Sequence, residues 1–256
     1  MRKTIFLDLQ NTILSGVGVL DKTKREMLEQ INAKNNLIIS SNVFPSDMSY
    51  FNEINGLNIN FISASGTYLK YDNLHKEATF LADLSFFNNY LKDLIFLFYE
   101  KDQIFYIYGY QDRLRTLYPI KPKDTVFLKD FSSYKPDTYN QIVICIHKNS
   151  KMLSHLFNKD SINLEIIAQD QTKILYKILK KHVNKGYFIP LLLEYLETSF
   201  EDTISAGDSL EDLYLFKHTK LKICPINACE EIKSTADIIV PSYLDNGVLT
   251  YLVNNT

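Results

Sequence analysis

Two short polar clusters in this sequence follow apolar runs, and both are acidic. Asp8-Leu9-Gln10-Asn11-Thr12 ends the run Ile5-Phe6-Leu7, and Gly207-Asp208-Ser209-Leu210-Glu211-Asp212 follows Thr203-Ile204-Ser205-Ala206. Short apolar runs of this kind read as buried parallel strands emptying into loops. Open parallel sheets gather ligands beyond the carboxyl ends of their strands, so the two acidic ends can meet there. Carboxylates that converge with few cations between them repel, and a hard divalent cation such as Mg²⁺ relieves the repulsion. Asp8, on a strand end, is also placed to act as a nucleophile. Taken singly, either acidic end is better read as the cap of the helix that follows. The chemistry depends on their meeting.

The flanking elements point to such a meeting. Residues 22–34 set Met27, Leu28 and Ile31 among charges, as an amphipathic helix does. Leu37-Ile38-Ile39 reads as a second buried strand that stops at Ser40-Ser41-Asn42, and residues 61–66 as a third. Strand, helix, strand with polar strand ends opens a doubly wound, mostly parallel α/β (Rossmann-like) sheet. The middle of the chain differs. Residues 94–99 and 104–108 are aromatic and β-branched, which predicts a hairpin, and a strand at 141–146, a helix near 149–158 and a strand at 163–168 follow. The parallel pattern then returns: a helix over 186–198, a strand at 203–206, a helix over 210–216, and strands at 221–224 and 238–240. The expected organisation is a core domain of residues 1–81 and 181–256, interrupted by an inserted α+β unit of residues 82–180.

Composition narrows the classes of partner. Among 256 residues, 28 Lys and Arg oppose 30 Asp and Glu, a formal charge of −2. That balance leaves no electrostatic footprint for duplex nucleic acid or an anionic membrane. Hydrophobic residues at 46% and charged ones at 23% exclude a disordered chain. Cys145, Cys224 and Cys229 form no disulfide framework and no metal-ligand spacing, which points to a reducing compartment. The N-terminal apolar run stops at Asp8, short of a signal peptide, and no run is long enough to span a bilayer. A cytoplasmic location is expected.

With these residues in this order, the chain resembles the haloacid dehalogenase-like (HAD) superfamily, and within it the Cof-like sugar-phosphatase branch with a large cap. That branch carries Asp-x-Asp-Gly-Thr after its first strand, here residues 8–12. Its second motif is a Thr or Ser at a strand end, matched best by Ser41, with Ser40 as the alternative. Its third is a Lys-Gly opening a helix, here Lys185-Gly186 after the middle unit, and its fourth is Gly-Asp-x-x-Asn-Asp, here residues 207–212. The resemblance implies a Mg²⁺-dependent phosphoric monoester hydrolase acting on a small phosphorylated metabolite such as a sugar phosphate. It implies Asp8 as the nucleophile that becomes an aspartyl phosphate. Asp8, the backbone carbonyl of Gln10 and Asp208 would hold Mg²⁺, with Asp212 orienting metal-bound water. Ser41 would donate to a phosphate oxygen, and Lys185 would neutralise charge between nucleophile and phosphate. Glu211 falls where the family keeps an Asn near the phosphate.

The departures carry equal weight. Gln10 stands where the family has its second Asp, the general acid and base, and an amide cannot trade a proton near neutral pH. Asn11 replaces the usual Gly, Glu211 adds a charge, and Asn42-Val43 replaces a frequent Gly-Arg after Ser41. These leave open a catalytically lapsed or specialised member that binds without turnover. The alternating Tyr99, Tyr106, Tyr108 and Tyr110 are read as one packing face of the hairpin in preference to a sugar-stacking surface.

Overall fold

The chain is described here by a computed structural model covering residues 2–16, 18–90, 94–101, 104–109, 125–127, 137–152 and 162–256. Its contacts divide it into one unit of residues 1–76 and 184–256 and a second of residues 77–183.

The first unit is built on a sheet whose central strand is β1, Thr4–Asp8, buried along its whole length. A strand covered on both faces must be apolar throughout, which is why Ile5-Phe6-Leu7 shows no alternation. Beside it lie β2 (Asn36–Ser40) and β3 (Asn60–Ser63), parallel to it, then an antiparallel edge of β4 (Tyr68–Tyr71) and β5 (Leu74–Glu77). On the other side of β1 come β14 (Thr203–Ala206), β15 (Leu221–Pro225) and β16 (Ile238–Val240), all parallel. The chain therefore winds outward in one direction from β1 and resumes on its opposite side. The carboxyl ends of β1 and β14 form the topological switch point, where such sheets leave a crevice.

Helices cover the sheet. Helix α1 (Lys22–Lys34) starts at Asp21, whose side chain accepts from the N–H of Lys24, and buries Leu28 and Ile31. Those side chains join Ile5, Leu7, Ile39 and Phe61 in one core with Val248, Leu249 and Leu252 of the C-terminal helix, Gly247–Asn255. Phe6, Ile38 and Ile62, on the opposite face, are buried as well. Helix α2 (Pro45–Asn55) connects β2 to β3, with Pro at its start, where a missing N–H costs no helical bond.

The second unit carries a mostly antiparallel sheet in the order β12-β13-β11-β7-β8-β9, in which the edge strand β9 runs parallel to β8. Its strands are β7 (Leu94–Lys101), β8 (Ile104–Gly109), β9 (Thr125–Phe127), β11 (Gln141–His147), β12 (Ile162–Gln169) and β13 (Lys173–Lys180). A separate pair joins β6 (Phe80–Ala82) to β10 (Asp137–Tyr139). The expected hairpin is present: β7 and β8 pair antiparallel, with Tyr99 opposite Tyr106 and Leu97 opposite Tyr108. Tyr110 and most of the helix expected near 149–158 lie outside the described residues. One face of this sheet packs Ile142, Ile144, Ile146, Tyr176 and Ile178 against Phe80, Leu84 and Phe87.

Two expectations need correction. The strand over 61–66 ends at Ser63, because Ala64 and Ser65 take left-handed backbone angles and turn the chain. The helix over 186–198 is confined to Ile189–Tyr195, the apolar stretch behind Pro190. Strand β13 lies where the hydrophobic pattern predicts no element. Its lysines disguise it, although Lys177 is buried and paired with Glu165 of β12 at 2.9 Å. Among the described residues, no helix is long and apolar enough to cross a membrane.

Candidate active site

Asp8 is the last residue of β1 and pairs in register with Ser40 of β2. The loop after β14 brings Asp208 and Asp212 to the same place. One carboxylate oxygen from each of Asp8, Asp208 and Asp212 lies within 4.8 Å of the others. Lys185 reaches this group from the start of the second core segment. Its Nζ donates to Asp8 Oδ1 at 2.5 Å and to Asp212 Oδ1 at 2.6 Å, with all three side chains nearly or fully buried.

Local structure fixes each member. Asp212 Oδ2 accepts from the backbone N–H groups of Asp208 and Ser209 and from the Ser209 hydroxyl, all at 3.0 Å, so the loop closes on itself as a capping box. That closure needs Gly207, since a Cβ there would lie 2.3 Å from the Asp212 side chain. Asp208 accepts from the Thr12 hydroxyl at 3.3 Å, which ties the loop to the turn after β1. Lys185 is set by its backbone: its carbonyl accepts from Ser40 Oγ at 3.2 Å. The preceding Asn184 carbonyl comes so close to Gly66 that a Cβ there would lie 1.8 Å away. Gly66 also has φ +90°, so a side chain there would be both strained and obstructed.

The electrostatics follow from burial. Burial is the largest influence on Asp8 and pushes its carboxyl up to about 8; Lys185 opposes the shift, and Asp212 adds to it. Asp208 is raised as well, again mainly by burial and then by Asp212. Burial alone would lower Lys185, but Asp212 and Asp8 outweigh it and hold the ammonium above its ordinary range. One ammonium therefore faces three carboxylates. Among the described residues, Asp8 Oδ2 is buried with no hydrogen-bond partner. A hard cation suits such a set: oxygen donors only, an excess of negative charge, and an unpartnered oxygen inside the cluster.

The remaining candidates stand nearby in different circumstances. Gln10 lies in the turn after β1 with an exposed side chain. Asn11 takes the left-handed conformation, φ 56°, that the family's Gly would adopt freely, and Asn is among the residues that tolerate it. That departure leaves the turn intact. Ser41 is buried one residue beyond β2, where its Oγ accepts weakly from the N–H of Val43 at 3.4 Å. Glu211 accepts from the side chain of Asn42. Neither that bond nor the Thr12 contact has a local signal in the sequence, because each depends on which strands lie side by side; Ser209 as the cap partner of Asp212 is local, a Ser-x-x-Asp spacing within one loop.

A doubly wound core with carboxylates and a buried lysine gathered at its switch point is the architecture of an α/β protein that handles charged ligands at strand ends. The sequence places it further: residues 5–252 match the haloacid dehalogenase-like hydrolase family, and the chain belongs to that family. Curated relatives match over shorter stretches. A phosphoglycolate phosphatase of Methanopyrus kandleri is 32% identical over 81 residues, covering 32% of this chain and 35% of the relative. The 5-amino-6-(5-phospho-D-ribitylamino)uracil phosphatase of Bacillus subtilis is 26% identical over 132 residues, covering 51% of this chain and 47% of its own. The chain thus matches less than half the length of either. Structural likeness is more complete. A Thermotoga maritima crystal structure superposes with a TM-score of 0.79 over 100% of this chain and 98% of its own, at 16% identity. A sugar phosphatase of HAD subclass IIB gives 0.73 over 98% of both chains at 14% identity. At those identities the likeness concerns the fold, a mostly parallel core with inserted antiparallel strands.

Proposed function

We propose that this protein is a Mg²⁺-dependent phosphatase that acts on a small phosphorylated metabolite, such as a sugar phosphate, through an aspartyl phosphate on Asp8. The observation that carries the reading is Lys185 Nζ held between Asp8 and Asp212 while Asp208 completes the carboxylate cluster. The named activities of the curated relatives, all on phosphate monoesters, support the same class.

In this reading Asp8, Asp208 and the backbone carbonyl of Gln10 would hold Mg²⁺, and Asp212 would orient its bound water. When bound, the ion supplies charge neutralisation for a phosphoryl group. The chain's own residues do the rest. Asp8 attacks phosphorus as the bond to the ester oxygen breaks; the alcohol leaves as an alkoxide that takes its proton from solvent, and water then attacks phosphorus, freeing Asp8 and inorganic phosphate. Lys185 stays protonated and keeps Asp8 aligned while countering the phosphate's charge, the positioning and electrostatic work on which phosphoryl transfer depends. Ser41 donates to a phosphate oxygen from the end of β2, and Glu211 lines the substrate side. Residues 82–180, within the second unit of residues 77–183, would serve as the inserted cap domain, and the free cysteines fit a cytoplasmic setting.

A second reading, a binding protein without turnover, is favoured by one specific feature: Gln10 offers no proton at the general acid position. Both readings need the metal. Calorimetric titration with MgCl₂ should show binding to wild type and a loss of at least about tenfold in Asp208→Asn, since even outer-sphere partners of a metal are worth that much. Equal binding by the two proteins would exclude Asp208 as a ligand and remove the basis of the site.

A further inference from the structure

Two of the chain's departures from the family pattern touch each other. Asn42, two residues beyond β2, donates through Nδ2 to Oε2 of Glu211 in the turn after β14. Its Oδ1 accepts from the Ser65 hydroxyl at 3.1 Å. Strands β14 and β2 lie on opposite sides of β1. Side chains from the loops beyond them therefore join by reaching past the carboxyl end of β1, where Asp8 stands. Ser65, Asn42 and Glu211 tie together the loops that follow β3, β2 and β14. Asn42 directly follows Ser41, and Glu211 directly precedes Asp212. This hydrogen bond thus links the loop carrying the phosphate-side serine to the loop carrying Asp208 and Asp212. Thr12 and Lys185 hold the second loop to β1; Asn42 holds it to the β2 side.

We propose that Asn42 and Glu211 are positioning residues of this site, a role that rests on the phosphatase reading above. Their bond sets the loop 207–212 against Ser41 across the top of β1, and it fixes a carboxylate at the rim that a phosphate dianion must approach. The paired identities make sense together. An Asn at 42 presents the amide that a carboxylate at 211 accepts, whereas Gly at 42 would leave Glu211 without that donor.

Two measurements read the tie without turnover: hydrogen exchange at the Asp208 and Ser209 amides, which bond Asp212, and titration with MgCl₂. Asn42→Ala and Glu211→Ala should each speed exchange and weaken Mg²⁺ binding about tenfold, the size of one hydrogen bond to a charged group. The double variant should be clearly less damaged than the sum of the two single effects, and Glu211→Gln, which keeps an acceptor, should stay within about twofold of wild type in both. Asn42→Asp sets two carboxylates against each other and should be the most damaging. Adding Glu211→Gln to it restores a donor and an acceptor with reversed polarity, and should rescue both readouts. In turnover the alanine variants should lower kcat, whereas Glu211→Gln should lower KM by removing a negative charge facing the ester.

Additive alanine effects, or Glu211→Gln as damaging as Glu211→Ala, would overturn the tie. So would a failure of the reversed pair to rescue Asn42→Asp. If the exchange pattern appears in a protein that hydrolyses no phosphate ester, the tie stands and the phosphatase reading falls.

Discussion

Gln10→Asp should raise turnover of alkyl phosphates, hexose phosphates among them, by about 10²–10⁴, the usual worth of a general acid and base. Position 10 follows Asp8 by two residues, in a turn whose geometry Asn11 preserves in the left-handed conformation. An Asp there meets no buried partner that must first be displaced, because the Gln10 side chain is exposed. Wild type should be slow on alkyl esters, whose alkoxide leaves poorly without a proton. It should do relatively better on acetyl or aryl phosphates, whose leaving groups are stable anions. Steady-state kinetics over such a panel decides the matter. A wild type already fast on hexose phosphates would mean that proton transfer does not depend on position 10. A variant silent on every substrate would favour the binding-protein reading.

Lys185→Met should destabilise the metal-free protein by about 3–5 kcal/mol, the cost of leaving buried charges without their partner. Lys185 Nζ is the ammonium between Asp8 and Asp212, whose side chains are 6% and 0% exposed. Removing it sets two buried carboxylates against each other in a site that already raises Asp8 to about 8. The pH dependence has a definite sign. In the folded variant the Asp8 carboxyl holds a proton that the unfolded chain releases above its ordinary carboxylate range near 4. Stability is then greatest below that range and falls as pH rises through the folded value. The deficit should therefore shrink toward pH 5, and Mg²⁺ should recover part of it at pH 8. Urea unfolding at the two pH values, with and without Mg²⁺, measures this; Lys181→Met, at an exposed position, should stay within about 0.5 kcal/mol of wild type. A Lys185→Met protein equally close to wild type would contradict the buried triad.

What could be read in advance follows from how locally each feature is encoded. Strand β1 and its terminal Asp8 were legible because a strand buried on both faces must be a continuous apolar run, and the acid that ends it stands out. The loop 207–212 was legible for the same reason. Helix α2 was not, since Pro45-Ser46-Asp47 reads as a turn until Met48 and Phe51 find their places under the sheet. Lys185 follows the basic run Lys180-Lys181-His182 and by itself reads as one more solvated lysine. Only the approach of Asn184 to Gly66, and two carboxylates from distant loops, make it a buried ammonium. The Asn42–Glu211 bond joins positions 169 residues apart. No local pattern announces such a pair; strand order creates it.

The most direct test is to look for the covalent intermediate. Wild type mixed with Mg²⁺ and acetyl phosphate, quenched in acid and digested, should yield the peptide containing Asp8 with one added phosphoryl group in its mass spectrum. The adduct should be absent from Asp8→Asn and from samples treated with a chelator. Hydrolysis of acetyl phosphate with no adduct at any quench time, or an adduct on another residue, would contradict nucleophilic catalysis by Asp8.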